Sequence, residues 1–297
     1  MRLEDRYDVV RPLGQGAFGR VLLVCDRRTG GQFAAKVLTA QDPDARQRFL
    51  REARQQAVYG KMGMPHVLPV EAAFLDDTPP FFLMKWVEAG SITQWAGRLS
   101  PEQVLGVMRQ LVETIALIHL TGGFHRDIKP DNTLLLADGS IVLTDFGLGN
   151  QPLINGPGTN SAAGTPGYAA PELYHGSPFG PACDYYSVGA TGFHLLTGKH
   201  PTRFQPPLNA STMDVAGTMK SIVDETAGAY ALVTSLILQL TSPNPTDRLP
   251  IPASTLLVLP QLMNRPLESL PTAAPPPPSR EDLLLSLFRI QDVCAGQ

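Results

Sequence analysis

The stretch His125-Arg126-Asp127-Ile128-Lys129-Pro130-Asp131-Asn132, with Asp145-Phe146-Gly147 further on at the end of an apolar run, decides the fold of this chain. Asp127, Lys129 and Asn132 share one short loop, so a carboxylate able to take a proton, a cation and an oxygen ligand sit together. Beyond them, the runs from Thr133 to Leu136 and from Ile141 to Thr144 flank Ala137-Asp138-Gly139-Ser140. Apolar runs around such a turn predict a β-hairpin that returns Asp145 to the side of Asn132, with Asp138 as a turn residue. A base, a cation and two oxygen ligands in one place are the equipment of metal-assisted phosphoryl transfer, where the protein positions groups and offsets charge.

Bulk composition narrows the classes. The 297 residues are 43% hydrophobic, ordinary for a globular protein, and the net charge of -3 offers no basic field for nucleic acid or an anionic membrane. Cys25, Cys183 and Cys294 are scattered and odd in number, so neither a disulfide framework nor a zinc site is expected, and a reducing, cytoplasmic location fits. Met1 to Asp8 is polar, and no apolar run reaches the roughly 18 residues of a membrane span, so no membrane span is expected.

Toward the amino terminus, Leu13-Gly14-Gln15-Gly16-Ala17-Phe18-Gly19-Arg20-Val21 lies between strand-like runs from Tyr7 to Arg11 and from Val21 to Asp26. A third run, Gln32 to Leu38, follows. Gly14, Gly16 and Gly19 let a hairpin backbone approach phosphate oxygens and offer them N–H donors. G-x-G-x-x-G also opens dinucleotide-binding folds, but there a helix follows, whereas a β-branched strand follows here. Lys36 stands inside the apolar run Phe33 to Val37 and needs a partner, because burial disfavours its charge. The helical stretch from Asp44 to Tyr59 supplies Glu52, while Arg46, Arg48, Arg51 and Arg54 mark its solvent face.

The patterns H-R-D-x-K-x-x-N and D-F-G resemble the catalytic and metal loops of protein kinases. Gly164-Thr165-Pro166-Gly167-Tyr168-Ala169-Ala170-Pro171-Glu172 is similar to the G-T-x-x-Y-x-A-P-E ending of the activation segment in Ser/Thr protein kinases. The resemblance runs from about Tyr7 to Met263 and implies ATP as substrate with Mg²⁺, Mn²⁺ being the alternative ion. It implies that Asp127 accepts or orients the substrate hydroxyl proton, that Lys129 reaches the γ-phosphate, and that Asn132 and Asp145 hold the metal. By the same resemblance Glu52 orients Lys36 toward the α- and β-phosphates under a lid formed by the three glycines. In Phe81 to Ser91, Met84 takes the gatekeeper position, the backbones of Lys85 and Val87 face adenine, and Ser91 lies near the ribose. Val21 and Ala34 would cover the base from above and Leu134 from below.

Four further roles follow from the family. Thr165 becomes a shelf hydroxyl near Asp127 and Lys129, where a peptide lies. Arg126 is placed to pair with a phosphate on the activation segment, for which Thr159 or Ser161 is the expected autophosphorylation site. Asp184 organises the catalytic-loop backbone, and Glu172 pairs with Arg248 of Asn244-Pro245-Thr246-Asp247-Arg248. Three departures stand out. Gln56 occupies an ordinarily apolar column and either weakens it or hydrogen-bonds within it, Lys85 replaces an acid, and Tyr186 stands where Trp is common.

Ser100 and Pro101 predict the start of a buried helix through Val104, Leu105, Met108, Leu111, Val112, Ile115 and Ile118, with His119 as a core histidine. A second apolar helix runs from Cys183 to about Leu196 and stops at Gly198. The expected fold is α+β and bilobal. A small β-rich N-lobe with one main helix spans 1–88, and a larger, mainly helical C-lobe spans 89–264. A Pro-rich linker (265–278) leads to an amphipathic helix (279–297) suited to self-association or partner docking. The sequence reads as a bacterial-type Ser/Thr protein kinase acting on protein hydroxyls. A pseudokinase scaffold is disfavoured because Lys36, Glu52, Asp127, Lys129, Asn132 and Asp145 are all present, and a small-molecule phosphotransferase by the peptide shelf.

Overall fold

Period-two burial builds the first half of the protein. In a computed structural model, which describes residues 2–16, 19–148, 164–174, 180–201 and 229–248, a five-stranded antiparallel sheet has the order β1-β2-β3-β5-β4. Its strands are β1 (Tyr7–Gln15), β2 (Gly19–Asp26), β3 (Gln32–Leu38), β4 (Val70–Phe74) and β5 (Phe81–Lys85). Ala35 and Val37 point to one face, into a core with Tyr7, Leu22, Val24, Phe81 and Leu83. Alternation therefore sends Ala34 and Lys36 to the other face, where Ala34 joins Leu68, Phe82, Met84 and Val87. That second face carries the cleft.

β1 runs further than expected, because Gly14 and Gln15 pair with Val21 and Arg20. The glycine-rich segment is thus two strand ends joined at Ala17 and Phe18, which lie outside the described residues. Pro12 cannot donate to the ladder, and the register shifts on either side of it.

Helix α2 (Pro43–Lys61) begins one residue before the expected start at Asp44, where Asp42 caps it, accepting from Asp44 N at 3.3 Å and Ala45 N at 3.1 Å. It buries Phe49, Glu52, Ala53, Gln56 and Tyr59, a single face at three- and four-residue spacing. After a one-turn α1 (Leu3–Arg6) and this helix, the larger lobe is built on α3 (Pro101–Leu120), capped by Ser100 with Gln103 in a capping box. α4 (Pro171–Tyr174) precedes α5 (Ala182–Thr197), which packs against α3 and α6 (Ala229–Leu240) and ends at Gly198 in the left-handed region (φ 68). Between the lobes, β6 (Thr133–Leu135) and β7 (Ile141–Leu143) form the expected hairpin. Its ladder continues through Thr144 N to Asn132 O at 3.0 Å, which sets Asp145 beside Asn132.

The architecture is the α+β, bilobal arrangement the sequence implies. No helix among the described residues is long and apolar enough to cross a membrane. The expected linker at 265–278, the helix at 279–297, and Thr159 and Ser161 lie outside the described residues.

Candidate active site

The catalytic-loop backbone hangs from α5. Asp184, fully buried, accepts from His125 N at 2.9 Å and Arg126 N at 2.7 Å, and His119 Nε2 donates to it at 2.9 Å. Burial pushes its carboxyl pKa up, but the His119 bond and the loop N–H groups outweigh burial and hold it below the usual carboxylate range. His119 therefore does more than fill the core, as its sequence position alone had implied. Nothing in the spacing links it to a residue 65 positions away. His125 accepts from Asp127 N through Nδ1 (3.3 Å) and donates through Nε2 to Thr144 O (3.2 Å), the pattern of a neutral ring. Burial, which holds its pKa down, agrees. Arg126 is buried with φ 64, a backbone setting that the Asp184 anchor sustains.

A stability test follows. A depressed carboxyl contributes stability above its unfolded pKa and loses it as pH falls through the folded value. Asp184→Asn is therefore expected to cost on the order of 2 kcal/mol near neutrality, where charge-assisted bonds are lost, and progressively less as pH drops below the usual carboxylate range. Urea melts at a series of pH values check this; a cost independent of pH would contradict it.

Asp127 is the hub of the loop. Its Oδ1 accepts from Thr165 Oγ1 at 2.6 Å and Thr165 N at 3.1 Å. Its Oδ2 accepts from Lys129 Nζ and Asn132 Nδ2, each at 3.0 Å. Lys129 Nζ also donates to Thr165 Oγ1 at 2.6 Å, so one alcohol is held between a carboxylate and a cation. Thr165 gets there because Gly164 (φ +85) lies against the Arg126 carbonyl, where an added Cβ would collide.

Lys36 Nζ donates to Glu52 Oε1 at 2.5 Å and lies 3.4 Å from Asp145 Oδ1. Burial pulls the ammonium toward neutrality, but Asp145 and Glu52 outweigh it and its pKa ends raised. Glu52 runs the other way: burial, opposed by Lys36 and assisted by Asp145, pushes it up to about 7. Lys36 stays charged because it serves two carboxylates, of which Glu52 is the weaker acid. Asp145, whose side chain is 41% exposed, is raised by burial but lowered more by the charges of Lys36 and Lys129, and stays below its ordinary range. It takes a left-handed backbone (φ 67), uncommon outside glycine, asparagine and aspartate itself.

A cleft of about 670 Å³ opens between the lobes. Gly14, Gly16, Val21 and Ala34 line it from the sheet, Met84 and Lys85 from the end of β5, Val87 and Ser91 from the segment that follows, and Leu134 from the hairpin. Lys36, Lys129, Asn132, Asp145 and Thr165 line its inner end. Gly19 is not part of the lining; it packs against the Val37 carbonyl instead. Glu52 and Asp127 stand behind the groups they hold. The Ser91 hydroxyl accepts from Thr93 N at 3.3 Å and so already caps the short helix Ile92–Trp95.

Two oxygens suit a hard cation. Both contacts of Asn132 Nδ2 go to Asp127, its carbonyl oxygen (2.8 Å) and Oδ2, which leaves the Asn132 amide oxygen for another partner. Asp145 opens into the cleft beside it. Among the described residues no cluster of three or more His, Cys, Asp or Glu could hold a metal ion, so such a cation would need oxygens from a bound nucleotide or water.

On α4, Glu172 accepts from Arg248 at 2.7 and 3.0 Å, and both are buried. The Arg248 guanidinium also lies 5.0 Å from the Tyr186 ring centroid, a use for the aromatic residue that stands in place of Trp.

The chain is 31% identical over 208 residues to the serine/threonine-protein kinase PAK mbt of Drosophila melanogaster, covering 69% of this chain and 32% of that protein. It is 29% identical over 257 residues to protein kinase 3 of Dictyostelium discoideum, covering 82% and 28%. It is 32% identical over 211 residues to the serine/threonine-protein kinase PknA of Mycobacterium tuberculosis, covering 67% and 48%. The chain thus spans about a third or less of the first two and about half of the third. A family profile described as the protein kinase domain matches residues 7–258, and the chain belongs to that family.

Proposed function

We propose that this chain transfers the γ-phosphoryl group of ATP, in the presence of Mg²⁺, to Ser or Thr hydroxyls of proteins. The observation that carries the proposal is the Thr165 hydroxyl, 2.6 Å from both Asp127 Oδ1 and Lys129 Nζ. An acceptor hydroxyl needs the same polarity: it donates to a base while a cation beside it offsets the charge on the arriving phosphoryl group. Asn132 and Asp145 would hold Mg²⁺, or Mn²⁺, which when bound offsets phosphate charge. Lys36, kept charged by its carboxylates, would meet the α- and β-phosphates, and the N–H groups of the glycine arms would cover them. Met84, Val87, Ala34, Val21 and Leu134 supply the apolar slot for the base.

Incubating the purified chain with ATP, Mg²⁺ and a Ser/Thr peptide library tests the acceptor class. Phosphate on peptide Ser or Thr is expected; phosphate on small alcohols alone would overturn the proposal. Within the same proposal, Thr159 or Ser161 is autophosphorylated and its phosphate pairs with Arg126. Phosphopeptide mapping after incubation with ATP should find one of these positions, and finding neither would remove that step. Residues 279–297 are proposed to dock on a partner or a second copy, and the cysteine pattern favours a cytoplasmic setting.

A further inference from the structure

Gln56 lies one turn beyond Glu52 on the buried face of α2 and is fully enclosed. Its Nε2 donates to the Leu68 carbonyl at 2.8 Å and approaches the Met84 sulfur at 3.3 Å. Its Oε1 is buried with no hydrogen-bond partner. An unpaired, enclosed acceptor is destabilising, and an apolar side chain of similar size would avoid it beside Leu68 and Met84, both members of the apolar core. The amide instead joins three elements: α2, the segment leading into β4, and β5. The tie reaches further, because the Thr144 hydroxyl also donates to the Met84 sulfur at 3.7 Å, one residue before Asp145.

We propose that Gln56 is a positioning residue that fixes the rotation of α2 through Leu68 and Met84, and so holds Glu52 toward Lys36. Glu52 needs such help, since the Lys36 ammonium it contacts is shared with Asp145. Met84 lines the cleft, so the same tie couples the back of the cleft to the helix.

The catalytic part of the test rests on the kinase proposal above; a hydrogen-exchange arm does not. In the full chain, Gln56→Leu should leave the melting temperature unchanged or higher, while α2 amides exchange about fivefold faster, the factor one ordinary hydrogen bond is worth. The kcat should fall about fivefold with KM for peptide unchanged, and the same change made in a Glu52→Gln background should add little, because the effect passes through Glu52. Gln56→Met, which keeps the length and lacks the donor, should behave alike and serves if the leucine variant does not fold. Unchanged α2 exchange, or a kcat equal to or above that of the unsubstituted chain, overturns the proposal. If the unsubstituted chain transfers no phosphate, the kinase proposal fails on its own, and α2 exchange alone decides the role of Gln56.

Discussion

Asp127→Asn is expected to lower kcat for phosphoryl transfer by about 10²- to 10⁴-fold, the usual contribution of a positioned base. Nucleotide affinity should stay within a factor of about three, because Asp127 stands behind the cleft wall and the substitution removes no group that lines it. The hydrogen-bond pattern also forecasts a local cost. Both carboxylate oxygens accept, one from Thr165 N and Oγ1 and the other from Lys129 and Asn132. An amide must therefore turn its NH₂ toward a donor. Facing Thr165 is the better choice, since a hydroxyl can rotate to accept, but Thr165 N then loses its partner, at about 1–3 kcal/mol. Initial rates together with nucleotide-binding isotherms check the separation. A variant within tenfold of the parent rate would show that Asp127 is not the base.

The largest loss of stability is expected from Arg248→Met, about 3–5 kcal/mol. Arg248 is wholly enclosed and donates not only to both oxygens of Glu172 but also to the carbonyls of Ser242, Ala182 and Pro243. Removing it strands a buried carboxylate and three carbonyls at once, and lysine cannot replace a two-pronged donor. Arg248→Met with Glu172→Gln should cost less than the two single changes summed, because the second relieves the charge that the first exposes. Equilibrium denaturation measures both quantities; a single-variant cost under about 1 kcal/mol would mean the pair is not a structural tie.

Much of this was legible in the sequence where chemistry and spacing coincide. Asp127, Lys129 and Asn132 share one loop, a turn returns Asp145 to them, and a lysine in an apolar strand demands a carboxylate. Those constraints are local or obligatory, whereas the choice of Glu52 for Lys36 and the pairing of Glu172 with Arg248, 76 positions apart, came from the resemblance to protein kinases and not from spacing. Contacts set by tertiary packing were not legible. His119 read as one more buried residue of α3, because only the packing of α3 on α5 brings Asp184 to it. Gln56 left two outcomes open, since an amide in an apolar column is decided by which carbonyl happens to lie opposite, here that of Leu68. The C-terminal end of β1 was underestimated because glycine has weak strand propensity, and pairing with β2 overrode it.

Transfer of labelled phosphate from ATP to a Ser/Thr protein substrate by the purified chain, run beside Asp127→Asn in the same Mg²⁺ buffer, tests the central claim most directly. The account predicts label on Ser or Thr from the unsubstituted chain and at least about a hundredfold less from the variant. No transfer from the unsubstituted chain across a range of metal concentrations, or equal transfer from both proteins, would contradict it.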